Sequence, residues 1–190
     1  MSIIRINDSV LILYPDNINA NLYRAQCYDK LGDSKTAQEG FKKVLALDPN
    51  NTYLKTQMLE NAKKTMSIEQ FVEYVNSNMA SMNPTDIFYD YAIELHKANK
   101  LDNAIYMYKS AIKANGGKDS EMYANLALAQ AQGNNFDEAL ATIQSVSAKF
   151  PKDSTLTDTA KNISAMKTDN QLAKAAEASF CFFSRRAARA

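Results

Sequence analysis

Apolar positions along this chain recur with the period of an α-helix, three and four residues apart. In "INANLYRAQCYDKLGDSKTAQEGFKKVLALDPN", from Ile18, two such runs flank Gly32-Asp33 and a proline, Pro49, closes the second. Two helical runs joined by so short a turn predict an antiparallel hairpin. The spacing returns in "TDIFYDYAIELHKANKLDNAIYMYKSAIKANG" from Thr85 and in "SEMYANLALAQAQGNNFDEALATIQSVSAKFP" from Ser120. Laid over one another, the windows place Ala25, Ala92 and Ala127 on the first helix and Ala37, Ala104 and Ala139 on the second. One turn on come Phe41, Tyr108 and Ile143, then Val44, Ala111 and Val146. Small residues on both helices let the backbones approach, and the larger residue one turn away fills the space beside them. Pro49 and Pro151 stop the second helix because a ring without an N–H cannot extend the ladder, and Gly116 takes that place in the middle window. The turns Gly32-Asp33, Asn99-Lys100 and Gly133-Asn134 use residues that tolerate tight backbone.

This pattern resembles the tetratricopeptide repeat, a helical hairpin that stacks side by side. The resemblance implies an all-α fold, a right-handed α-solenoid of stacked antiparallel helical hairpins. On it the chain divides into a half repeat at 1–17, a repeat at 18–51, a degenerate repeat at 52–84, and repeats at 85–119 and 120–153. A C-terminal helical hairpin or capping repeat follows at 154–178 and an atypical tail at 179–190. In the half repeat, Ile3, Val10, Leu11 and Leu13 fall where a second helix puts its core, and Pro15 where it stops. The degenerate stretch replaces its anchor alanine with Phe71, yet "YLKTQMLENAKK" reads as one helix and Ser67-x-x-Gln70 as a capping box opening another. The closing hairpin is read from "STLTDTAKNISAMK" and "NQLAKAAEA". The tail, "SFCFFSRRAARA", holds three of the five arginines and three of the eight phenylalanines. One reading makes it foreign to the array, from cloning or a shifted frame; the other makes it a basic, aromatic anchor for a partner or a membrane surface.

Composition removes several function classes. Lys plus Arg number 22 against 21 Asp plus Glu, so no global field draws the 190-residue chain to nucleic acid, and no nucleic-acid partner is expected. The two cysteines, Cys27 and Cys181, form neither a Cys-x-x-Cys pair nor a disulfide framework, which favours a reducing compartment and a cytoplasmic protein. No apolar run is long enough to span a bilayer, so no membrane partner is expected.

Catalytic chemistry lacks its residues. His96 is the single histidine, without a paired nucleophile or a second metal ligand, and reads as a groove or surface side chain. Cys27 lies within a helix and reads as a small buried thiol. "ANGGKDS" lacks the glycine spacing, the Ser or Thr after lysine and the preceding strand of a phosphate loop, so it is a hinge between hairpins. Asp137-Glu138 and Asp86/Asp90 read as solvated or capping carboxylates. The chain is therefore read as non-enzymatic, with no cofactor and no metal.

Binding remains. In tetratricopeptide arrays the first helix of each hairpin lines the concave face, so the resemblance implies Leu22, Tyr23, Gln26 and Lys30 there from the first repeat. Tyr89, Asp90, Ile93, His96 and Lys97 follow from the next, then Asn125, Leu128 and Gln132. The clamp by which one subclass holds a terminal carboxylate is argued against: Asn125 matches it, but Tyr89, Ile93, Thr155 and Thr159 offer no cation. Tyrosines with Ile93 and Leu128, set among Asp29, Asp86, Asp90 and Glu121 against Lys30 and Lys97, suit a protein or peptide partner, neutral to basic and with apolar anchors. The expected function is a protein–protein interaction scaffold with a peptide or partner segment in this groove. Two alternatives stand beside it: a self-assembling platform that forms homo-oligomers through exposed terminal repeats, or the non-catalytic arm of a larger enzyme.

Overall fold

The computed structural model describes residues 3–79 and 81–187, with the backbone alone from 175 to 187. Every described element is a helix, and most begin on a short polar side chain. Asn17, Asp33, Asn51, Ser67, Asn83, Asp119 and Asp153 each accept a hydrogen bond from a backbone N–H of the first turn, satisfying donors that the helix itself cannot. At Ser67 the capping box closes both ways: its Oγ accepts from Gln70 N, and its own N–H donates to Gln70 Oε1 at 3.0 Å.

The chain divides into two units, 1–81 and 82–190. The first holds α1 (Ile3–Leu13), α2 (Ile18–Lys30), α3 (Ser34–Leu47), α4 (Thr52–Thr65) and α5 (Ile68–Asn78), each packed on its neighbour in sequence. Its core runs from Ala25, Ala37, Phe41 and Val44 through Leu54, Met58 and Ala62 to Phe71 and Val75. The approach of α2 and α3 is so close that a Cβ placed on Gly40 would stand 2.8 Å from that of Ala25. Asn21 and Arg24, polar where the repeat pattern favours large apolar residues, are accommodated individually. Asn21 is buried and donates to the carbonyls of Pro15 and Asn17, while Arg24 pairs with Asp8 at 2.9 Å and lies over the Tyr28 ring.

Helix α1 differs from the expected half repeat in which side it buries. Asn7 is its buried residue, whereas Ile3 and Leu13, expected in the core, are 63% and 73% exposed. The helix packs on α2, with Asn7 buried and Ile4, Val10 and Leu11 half-buried, while Ile3, Ile6 and Leu13 are exposed.

The second unit holds α6 (Pro84–Lys97), α7 (Leu101–Asn115), α8 (Ser120–Gln132), α9 (Phe136–Ser147) and α10 (Ser154–Ala187). Ala92, Ala104, Ala111, Ala127 and Ala139 are wholly buried, with Phe88, Met107, Tyr108 and Ile143 filling the space around them. The turns need left-handed backbone, which Asn99 (φ 56°) and Asn134 (φ 63°) adopt here as Gly32 (φ 82°) does in the first unit. Between α7 and α8 the left-handed pair Gly116-Gly117 is tied on both sides. Gly116 N–H donates to Lys113 O, Asn115 Oδ1 accepts from Lys118 N–H, and Lys149 Nζ donates to the carbonyls of both glycines.

The closing hairpin expected over 154–178 is instead one continuous helix, α10. Residues 167–171 contain neither Gly nor Pro, and their side chains hold the helix straight: Lys167 Nζ bonds Asp137 Oδ1 at 2.6 Å and Asn170 Nδ2 bonds Asn134 Oδ1 at 3.0 Å. Leu156 and Ile163 bury α10 against α8 and α9. The backbone of α10 runs on into the segment read as a tail; the rest of that segment, 188–190, and all its side chains lie outside the described residues.

Candidate functional site

First helices of successive hairpins present side chains to one another, and in the second unit these converge. Tyr89, Ile93, His96 and Lys97 of α6 and Asn125 and Gln132 of α8 line a single cavity of about 530 Å³, with Glu121, Asn99 and Tyr108. Asn125 Nδ2 donates to the Tyr89 hydroxyl at 2.7 Å, and that hydroxyl donates to Glu121 Oε1 at 3.2 Å. His96 Nε2 lies 3.0 Å from Gln132 Oε1 and Nδ1 lies 3.3 Å from the Tyr108 hydroxyl. A ring protonated on Nε2 satisfies both contacts, donating to the amide oxygen and accepting from the phenol.

Aromatic rings form the floor. Tyr108 meets Tyr89 and His96 edge to face, each at 5.9 Å between centroids. Burial pushes the hydroxyls of Tyr89 and Tyr108 up to about 12, so both remain neutral hydrogen-bonding groups. For Tyr89 the Asn125 amide opposes that rise and the Glu121 carboxylate adds to it.

The remaining expected site residues fall elsewhere. Asp90 is exposed on α6 beside the cavity residues but does not line it. Leu128 does not join the site: it packs half-buried against the α8–α10 core, because its place on α8 turns toward the apolar cluster. Leu22, Tyr23, Gln26 and Lys30 belong to the first unit. There Gln26 Nε2 donates to the Tyr53 hydroxyl at 3.1 Å, Tyr23 and Lys30 are exposed, and Leu22 is half-buried. Next to them Asn61 of α4, only 1% exposed, donates to Asp29 at 2.6 Å while its own Oδ1 has no partner.

Sequence reasoning missed the part played by Tyr108, which it assigned only to the core. The residue is core by its ring and site by its hydroxyl, and the one signal was Tyr where the other repeats have Phe41 and Ile143. Chemically the cavity offers ring faces, amides, one carboxylate and one ammonium. Among the described residues no three His, Cys, Asp or Glu side chains group as metal ligands. No described helix is long and apolar enough to cross a membrane.

The tetratricopeptide repeat family matches the chain twice, over residues 19–51 and 95–163, together more than half of its length. The chain is a tetratricopeptide repeat protein. The second match spans every residue of the cavity from His96 onward, and the family places the protein among protein–protein interaction scaffolds, for protein or peptide partners. Three solved structures are similar at low identity. MamA from Desulfovibrio magneticus RS-1 is 16% identical over 80% of this chain and 86% of its own, with a TM-score of 0.44. A tetratricopeptide repeat protein from Parabacteroides merdae ATCC 43184 is 13% identical over 90% and 68%, with a TM-score of 0.44. YrrB, described as a TPR protein with an unusual peptide-binding site, is 15% identical over 90% and 97%, with a TM-score of 0.38. Likenesses at this level carry no argument about arrangement or ligand. No curated protein matches the chain.

Proposed function

We propose that this tetratricopeptide repeat protein holds a segment of a partner protein in the cavity between α6 and α8. The observation that supports it is the convergence of Tyr89, Ile93, His96, Lys97, Asn125 and Gln132, from two helices, on one cavity of about 530 Å³. Tyrosine rings fixed by burial and by hydrogen bonds give contact area without losing much side-chain freedom on binding, which suits them as anchors. The amides of Asn125 and Gln132 serve the polar backbone of an extended or helical segment. Asp86, Asp90 and Glu121, set against Lys97, favour a neutral or basic segment over an acidic one. The mix of apolar floor and polar rim is that of a recognition surface.

The test compares the parent chain with Tyr89→Ala/Asn125→Ala as baits in a lysate of the source organism, read by mass spectrometry. Partners captured by the parent and lost from the variant, with peptides from them binding the purified parent and weakening as salt rises, support the reading. Equal capture by both baits would overturn it. Tyr89 and Asn125 are half-buried and bonded to each other, so the melting temperature of the variant is measured beside the capture, and loss of binding supports the reading only where the variant stays folded.

A further inference from the structure

Lys55 is out of keeping with the other charges of the chain. Among the described residues it is the one charged residue that is buried, 7% exposed on a face of α4 that it shares with Leu54, Met58, Leu59 and Ala62. Lys109 and Lys161, by contrast, meet their carboxylates at the surface. An ammonium group taken out of water is costly unless a negative charge or a full set of acceptors replaces the water. The Lys55 ammonium has three hydrogens to place, and among the described residues it donates to one neutral oxygen, Ser81 Oγ, at 2.6 Å. The carboxylates of its own helix and of the next are engaged elsewhere. Glu60 pairs with Lys63 at 3.0 Å, Glu69 accepts from the Ser67 hydroxyl at 2.8 Å, and Glu73 is exposed.

Ser81 also differs from the serines of the helices. Ser9, Ser110 and Ser164 turn their hydroxyls back onto carbonyls of their own helix. Ser81 stands exposed in the turn that follows α5, and its oxygen is the acceptor for Lys55, a bond that leaves the hydroxyl hydrogen unused. The pair therefore joins a reachable hydroxyl to a buried cation without a counter-charge. A negative charge carried on the serine oxygen stands beside that cation, which a free anion in solvent finds almost covered.

We propose that Ser81 is a phosphorylation site whose phosphoryl group is received by Lys55. A protein kinase supplies the group from a nucleoside triphosphate. Ser81 Oγ attacks the terminal phosphorus, the bond from that phosphorus to its bridging oxygen breaks, the hydroxyl proton passes to the base of the kinase, and the nucleoside diphosphate leaves. The product is a monoester with about 1.5 to 2 negative charges at neutral pH and three strong acceptor oxygens. Lys55 Nζ, already in contact with the oxygen that takes the phosphorus, bonds a terminal oxygen from its present place on α4. The modification replaces a neutral hydrogen bond with a charged pair, and so ties the turn at 81 to α4 around the whole of α5. The site lies within the first unit and is independent of the cavity between α6 and α8.

The test begins with the purified full chain in a lysate of the source organism supplied with γ-labelled ATP. The parent is expected to take up label and to give phosphoserine at residue 81 in tandem mass spectrometry, and Ser81→Ala to lose that label. Because Ser81→Ala strands the ammonium, Lys55→Met/Ser81→Ala, which removes both polar groups, is run beside it as a folded control. A parent without phosphate at Ser81 overturns the proposal. The second arm uses the chain made with phosphoserine at position 81, its phosphorus followed by NMR through a pH titration. The second ionisation of the phosphate, about 6 when free, is expected to fall by about one unit beside the ammonium and to return to the free value in Lys55→Met. The phosphorylated parent is also expected to melt above the unmodified chain, and to lose that gain in Lys55→Met. An ionisation unmoved from the free value, or lowered equally with methionine at 55, shows a phosphate that Lys55 does not hold and overturns the proposal.

Discussion

The two units handle the same task differently. In each, the first helices of neighbouring hairpins are joined by side-chain hydrogen bonds: Gln26 to Tyr53 and Asn61 to Asp29 in one, Asn125 to Tyr89 and His96 to Gln132 in the other. Asp29 and His96 hold equivalent places in their repeats. Beneath His96 lies the hydroxyl of Tyr108; the equivalent second-helix residue in the first unit is Phe41, equally buried and without a polar atom. A regular repeat with one added hydroxyl becomes a polar cavity with an aromatic floor, and without it the same architecture leaves only a bonded surface.

That comparison can be broken at the rings. Phe41→Ala and Tyr108→Ala each empty a site that is 1% exposed, and each is expected to cost about 3–5 kcal/mol in urea unfolding. Equal losses identify the two as the same packing element; a loss at Tyr108 far smaller than at Phe41 refutes that equivalence.

Removing only the hydroxyl sharpens it. Tyr108→Phe keeps the ring and is expected to cost about 0.5–1.5 kcal/mol, the net worth of an ordinary hydrogen bond. Tyr74→Phe, in the first unit, removes a buried hydroxyl with no partner, so its unfolding midpoint is expected to stay level or rise. A penalty at Tyr74 as large as at Tyr108 contradicts this assignment of partners.

The smallest effect is a pH dependence. Tyr89 and Tyr108 in the second unit and Tyr74 in the first are each raised from 10 to about 12 by burial. A raised folded value means the unfolded chain gives up its protons first, so the stability these groups contribute is complete below pH 10 and lost between pH 10 and 12. Unfolding midpoints followed through that window are expected to fall, and to fall less in Tyr108→Phe. No difference between the two proteins removes Tyr108 from the account.

How much of this was legible depended on whether a place carried one duty or two. The alanines at 25, 37, 92, 104, 127 and 139 have packing as their whole task, and their spacing alone gives the hairpins. Six expected groove residues meet at one cavity because a helix period fixes which side chains share a face. Leu128 packs outside the cavity because first helices are apolar on two sides, toward their own hairpin and toward the next, and its residue type does not tell them apart. Tyr108 was half read because a buried tyrosine serves through both its ring and its oxygen. The closing hairpin was misread because a polar stretch such as 167–171 resembles a turn, whereas here its lysine and asparagine brace a helix from outside.

The tied glycines between α7 and α8 also bear on how the protein ages. An asparagine followed by glycine loses its side-chain amide when the next backbone nitrogen swings round to attack it, and Asn115-Gly116 is such a pair. Here that nitrogen is committed to Lys113 O, and the Asn115 amide oxygen holds Lys118 N–H in place. The attack must wait until this corner opens, so loss of the amide at residue 115, read as isoaspartate and aspartate together, is expected to be slow and to count the openings of the turn, a chemical clock written into the hinge.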